Sequence, residues 1–330
     1  MSNFASMKEL SILIPVYGEN ILWQVKLLYA QCSAIKDLSW EIVVAEDGRP
    51  QQAVYSNTDG LSQAHCYTDG LSQAHCNADG FSDGDNDEIA TMAHCRLIKR
   101  EKNSGRAAIR NFLAREARFD NLLYIDAGLK PNPHFVENYV DNIGKSLVVC
   151  GNIAVDKACI NMENLRCRNE LRAQKRFTAA KHAIEPYKNF HTTAFMIDRR
   201  TMLANPMRED IRTYGYEDTL FGKQLADKHI SIRHIDNPVL FTAFESNSRY
   251  LEKTEEAMYT LYNYREELEY YSPLLHVVHL FQKFHLLWLP IIIDRCFVDK
   301  IVDNLTGRHP NLQLYSLFRV CLLARKYAQE

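Results

Sequence analysis

Leu10-Ser11-Ile12-Leu13-Ile14-Pro15-Val16-Tyr17-Gly18-Glu19-Asn20 is the stretch on which the reading of the fold turns. Its first seven residues are almost continuously apolar rather than alternating, which predicts a strand covered on both faces, as in a parallel sheet. Helical spacing follows over residues 19–36. Glu41-Ile42-Val43-Val44-Ala45 then predicts a second buried strand, ending in Glu46-Asp47-Gly48-Arg49-Pro50. Strand, helix and strand with acids beyond the carboxyl ends is the βαβ arrangement in which ligands sit at those ends. The first turn lacks G-x-G-x-x-G, which argues against a dinucleotide-binding dehydrogenase.

Further along, Cys95-Arg96-Leu97-Ile98-Lys99 predicts a third strand. Asn103-Ser104-Gly105-Arg106 then opens a helix that carries Arg110 and Asn111. A polar cap, a glycine and two arginines at a helix start suit a phosphate seat, and equally a surface helix with an ordinary cap. Leu122-Leu123-Tyr124-Ile125-Asp126-Ala127-Gly128 reads as another buried strand stopping at an acid. Three strands thus end in polar clusters, Tyr17/Glu19, Asp47 and Asp126, and packing alone does not explain that convergence. Thr213-Tyr214-Gly215-Tyr216-Glu217-Asp218 places two adjacent acids at the mouth of a helix. There the dipole favours negative charge, so they are either an ordinary helix start or a carboxylate pair at a site edge, one acting as a base.

Residues 58–66 recur identically at 68–76, and a decayed third copy begins at Asn77. The ten-residue period is too short for a helical solenoid. The His-Cys pairs at 65–66, 75–76 and 94–95 lack the C-x-x-C spacing of a zinc knuckle. Residues 55–90 are therefore expected to be a polar, mobile surface insertion.

With 39 basic against 41 acidic residues, nothing suggests a nucleic-acid partner. Nine cysteines without framework spacing fit a reducing compartment, and the N-terminus lacks an export signal, so the expected location is cytoplasmic. No apolar run is long enough to span a bilayer. Arg166, Arg168, Arg172, Lys175 and Arg176 form a basic run that reads as mostly the solvated face of a helix, the second reading being that one or two of them reach a diphosphate or an anionic acceptor. Beyond residue 251 the composition changes to a charged helix and then, over 273–298, to apolar residues broken by His, Lys, Gln and Pro290. Packing against the rest of the chain is the default for 273–323. The second reading is a peripheral membrane-surface element.

Together S-I-L-I-P-V-Y-G-E-N, E-I-V-V-A-E-D-G, N-S-G-R-A-A-I-R-N, L-L-Y-I-D-A-G and Y-G-Y-E-D-T-L-F-G resemble, in that order, family-2 glycosyltransferases of the GT-A fold. The resemblance runs from about Lys8 to Leu251, outside the repeats, and residues 234–245 resemble bacterial members that build surface polysaccharides. It implies an α/β GT-A catalytic domain over 8–250, with a mainly parallel central sheet flanked by helices, and a C-terminal helical extension over 251–330. It implies that Pro15, Tyr17, Glu19 and Asp47 hold the nucleotide base and ribose, and that Gly105, Arg110 and Asn111 line the nucleotide pocket. Asp126 would bind a divalent metal, Mg²⁺ or Mn²⁺, on the diphosphate. Asp218 would be the catalytic base, with Glu217 orienting the acceptor. The implied reaction is inverting transfer from a nucleotide-diphosphate sugar, expected to be UDP-linked, to a glycan or lipid-linked acceptor.

The sequence departs from that pattern at three places. Gly128 removes the second carboxylate of the D-x-D element, Phe241 stands where relatives show a histidine, and Ala194 where they show an asparagine. His234 and Glu245 are the fallback ligands. Two rivals follow: a sugar-nucleotide nucleotidyltransferase, which needs a Gly-rich, Lys-containing loop that Tyr17-Gly18-Glu19 does not supply, and a degenerate homologue that only binds nucleotide or a partner.

Overall fold

The computed structural model describes residues 7–48, 85–176 and 178–329; the ten-residue repeats lie outside them. β1 (Lys8–Val16), β2 (Leu38–Asp47), β3 (Cys95–Arg100) and β4 (Asn121–Ile125) are parallel neighbours in the order β3-β2-β1-β4. The sheet continues through β7 (Ala194–Asp198), β6 (Val148–Val155), β8 (Ile232–Phe241) and the two-residue β5 (Lys130–Pro131). β7 runs antiparallel to both β4 and β6, and β5 antiparallel to β8. The sheet is therefore mixed: parallel through its first four strands, with all three antiparallel pairings in its second half.

The continuous apolar run of β1 has the reason the pattern suggested. Ile12 and Ile14 enter a core with Ile42 and Val44 under α1 (Leu22–Ala34) and α3 (Phe135–Val140). Leu13 enters a second core on the other face with Val43, Tyr124 and the inner sides of α2 (Arg106–Glu116), α6 (Arg199–Ala204) and α7 (Glu217–Asp227). Each such side chain is worth about 1.5–3 kcal/mol when fully removed from water.

Between β6 and β7 lie α4 (Leu165–Arg176) and the single turn α5 (Ala179–His182). After β8 the chain is helical: α8 (Asn247–Asn263), α9 (Arg265–Leu268), α10 (Pro273–Lys283), α11 (Trp288–Thr306) and α12 (Leu312–Tyr327). These five helices share a third core with Leu165, Ile211 and Leu220, and Tyr216 packs against it.

One expectation needs correction. The composition predicts a surface insertion over 55–90, yet Asn86–Thr91 form a short 3₁₀ turn and Asn86 and Ile89 are buried. The side chain of Asn86 donates to the Glu19 carbonyl and to Glu46, and accepts from the Ile21 amide. A polar segment can be an anchor when its amide satisfies three groups that the sheet rim leaves unpaired.

Candidate active site

The parallel strands β1 to β4 end on one rim. Tyr17 follows β1, Asp47 closes β2, Arg100 closes β3 and Asp126 follows β4. The antiparallel register Ile125↔Ala194 brings the segment before β7 to the same rim, where the Thr193 carbonyl accepts from the Asp126 amide at 2.9 Å.

α2 enters this rim through Gly105, whose φ of 93° lies in a region L side chains rarely adopt. Asp47 holds that turn. Its carboxylate accepts from Arg100 (3.0 Å), from the Ser104 hydroxyl (2.7 Å) and from the backbone amides of Ser104 and Gly105 (both 3.0 Å). Asp47 is buried, with its lone pairs committed inside the protein. It positions the entrance to α2 through these four hydrogen bonds.

Two arginines one turn apart on α2 then meet the other acids. Arg110, itself buried, donates from Nη2 to Asp126 at 2.5 Å and from Nη1 to the Arg106 carbonyl at 3.0 Å. Arg106 reaches Glu217 at 3.3 Å and lies over the Tyr214 ring at 4.7 Å. Asn111, expected beside Arg110 in the nucleotide pocket, does not join them. It is buried, its amide donates to the Met207 carbonyl and to Glu209, and its oxygen accepts from the Met207 amide. An α-helix turns 100° per residue, so the neighbour of an inward arginine faces another element.

Glu217 and Asp218 open α7 after a distorted approach. Gly215 has φ 95° and Tyr216, a non-glycine, φ 64°. A side chain held in the left-handed region costs on the order of 1 kcal/mol and marks a constraint imposed from outside. Here the constraint is α8. A Cβ on Gly215 would stand 2.7 Å from that of Ala257, the Tyr214 amide donates to Glu256, and Thr260 bonds both the Tyr214 carbonyl and the Thr213 hydroxyl.

The two adjacent acids meet different surroundings. Glu217 is buried against Arg106. Asp218 accepts only from its neighbour Thr219, through the amide (2.7 Å) and hydroxyl (3.2 Å), and no basic side chain pairs with it among the described residues. Burial, and then the charge of Glu217, push the Asp218 carboxyl up to about 6, against the Thr219 hydrogen bonds and the more distant Arg106. Its charge also reaches Cys150 on β6, whose thiol burial pushes up to about 12.

Tyr17 is exposed, Pro15 partly so, and the Tyr17 amide donates to Glu19 at 2.9 Å. Sequence reasoning missed Gln24. Fully buried on α1, it donates to the Asp126 carbonyl and accepts from the Gly128 amide, both at 2.9 Å, and so clamps the turn after β4. The available signal was a glutamine in register with the buried Leu28 and Cys32 of one helix face.

The donor set does not fit a metal held by the protein. Asp126 is its only carboxylate at the D-x-D position and is engaged by Arg110, while Gly128 supplies none. Of the fallback ligands, Glu245 is gripped by Arg166 at 2.8 and 2.6 Å, and His234 contacts the Pro186 carbonyl at 2.9 Å. Phe241 lies under the Arg166 guanidinium at 4.7 Å, and Ala194 is buried with its carbonyl bonded to Tyr139. Among the described residues no three His, Cys, Asp or Glu side chains are grouped to hold an ion.

A mixed α/β sheet flanked by helices, with acids and arginines gathered at the rim around a helix start, is consistent with the GT-A fold followed by a C-terminal helical region. The sequence model described as glycosyl transferase family 2 matches residues 78–203, a span that holds Arg106, Arg110 and Asp126 but neither Asp47 nor the Glu217-Asp218 pair. Among solved structures, the crystal structure of S. aureus TarS matches with a TM-score of 0.45 and 16% identity, over 77% of this chain and 40% of that one. The chain thus spans less than half the length of that protein. Among curated proteins, none matches.

Proposed function

We propose that the chain is an inverting glycosyltransferase that moves a sugar from a nucleotide diphosphate, UDP-linked, to a hydroxyl of a bacterial glycan or lipid-linked acceptor. The family match supports glycosyl transfer in general. The observation that carries the finer reading is the division of labour on the rim. Arg106 and Arg110 pair with Glu217 and Asp126, and Asp218 is left without a basic partner.

In this reaction the acceptor oxygen attacks the anomeric carbon from the face opposite the diphosphate. Its proton passes to the Asp218 carboxylate, the carbon–oxygen bond to the β-phosphate breaks, and the electron pair leaves with the nucleoside diphosphate. A single base with one displacement inverts the centre, as in inverting glycoside hydrolysis. Arg106, half exposed at the start of α2, and the free amides of that first turn are placed to meet the charge that grows on the leaving diphosphate. Glu217, held by Arg106, is placed to orient the acceptor hydroxyl.

Calorimetry with UDP, followed by measurement of UDP release from a panel of nucleotide sugars, tests this reading. Binding of UDP with release from at least one donor is the expected result; no affinity for UDP refutes it. A second reading, a non-catalytic nucleotide-binding homologue, is favoured by Gly128 and by the Arg110–Asp126 pair. It predicts UDP binding with no release from any donor.

A further inference from the structure

The elbow between α10 and α11 carries an apolar face that the fold does not use. Leu275 and Val278 of α10 and Ile301 and Leu305 of α11 point into the third core. On the opposite side Val277, Leu280 and Phe284 recur one helical stripe apart, and Phe284 is 64% exposed. The stripe continues past the bend through Trp288 (54% exposed), Leu289 and Ile292. Lys283 and Arg295 flank it, both exposed and neither paired with an acid among the described residues. No single described helix is long and apolar enough to cross a membrane. α10 and α11 reach that apolar content only as a pair bent by 111°, which prevents them from crossing as one rod.

An aromatic corner, an apolar stripe and unpaired cations at its edge match the boundary between lipid headgroups and acyl chains. We propose that this elbow docks on the surface of an anionic phospholipid bilayer, with Phe284 and Trp288 entering the headgroup–acyl boundary and Lys283 and Arg295 meeting lipid phosphates. The charge complementarity distinguishes this occupant from a second copy of the chain, which would bring like charges together. The proposal is independent of the glycosyl-transfer reading, because its test reads partitioning and not turnover.

Co-sedimentation of the full chain with phosphatidylglycerol/phosphatidylcholine vesicles provides the test. The expected result is binding that weakens with salt and falls to background on phosphatidylcholine alone. The double variant Phe284→Ser/Trp288→Ser should lower partitioning about tenfold or more, and Lys283→Glu/Arg295→Glu should do so at low salt. An unchanged melting temperature in both variants excludes misfolding as the cause. Wild-type chain that stays in the supernatant with anionic vesicles overturns the proposal, as does equal binding by both variants. A dimer that the aromatic pair's loss dissociates, with no vesicle binding, would identify a second copy as the occupant and overturn it as well.

Discussion

Arg106 bridges two parts of the chain that lie 111 positions apart, meeting Glu217 at 3.3 Å while its guanidinium covers the Tyr214 ring. In the proposed transfer, this half-exposed cation beside a buried acid would meet the leaving diphosphate while holding Glu217. Arg106→Ala should lower kcat by about 10²–10³-fold, the usual cost of removing one donor to a developing anion. Arg106→Lys should recover only a small part, because an ammonium reproduces neither the planar stack nor the fork. Steady-state UDP release and UDP affinity, measured side by side, separate the catalytic loss from a binding loss.

Asp218 must be ionised to accept a proton. With its carboxyl pushed up to about 6, kcat/KM should rise as pH increases through 6 and level off above 7. Asp218→Asn should abolish transfer while leaving UDP affinity within about threefold. The same substitution reports on stability with the opposite sign. The folded value lies above the usual 3.8, so this group's contribution is full below that pH and is lost as pH rises through 6. Asp218→Asn should therefore stabilise the protein by on the order of 1–2 kcal/mol at pH 8, a gain that closes near pH 4. Melting curves at the two pH values check it.

Gln24→Met keeps the volume of the buried side chain but leaves the Asp126 carbonyl and the Gly128 amide unpaired. The cost should be about 2–3 kcal/mol. Donor turnover should fall with it, because the turn that presents Asp126 loses its clamp. Denaturant unfolding and UDP release are the readouts. An unchanged midpoint would mean that water replaces the amide.

Gly128→Asp would restore the missing carboxylate. A Cβ there meets nothing within 4 Å, although the φ of 77° adds roughly 1 kcal/mol of strain. Mn²⁺ titration calorimetry in the presence of UDP should show tighter metal binding in the variant than in the natural chain. Equal affinities would show that position 128 does not face the diphosphate.

Much of this site was legible before the coordinates. Strands covered on both faces leave long apolar runs, so β1, β2 and β4 and the acids that follow them announced themselves. The acidic start of α7 was equally visible, being written in adjacent letters. What escaped depends on distant partners. Asp47 turns inward because Ser104 and Gly105 come to it, and Asn111 faces Met207 because α2 turns 100° per residue. The antiparallel entry of β7 is a choice between neighbours that local hydrophobicity does not encode. Asn86 lay in a stretch read as insertion because a polar anchor and a polar surface have the same composition.

Gly215 presses against Ala257 and the loop is stitched to Glu256 and Thr260, so the acid pair takes its orientation from a helix some forty residues downstream. A chain cut before Ser246 would retain every described strand and the rim residues Asp47, Arg106, Arg110 and Asp126. It would nevertheless leave Glu217 and Asp218 on an unbraced loop, free to swing where the full chain fixes their direction.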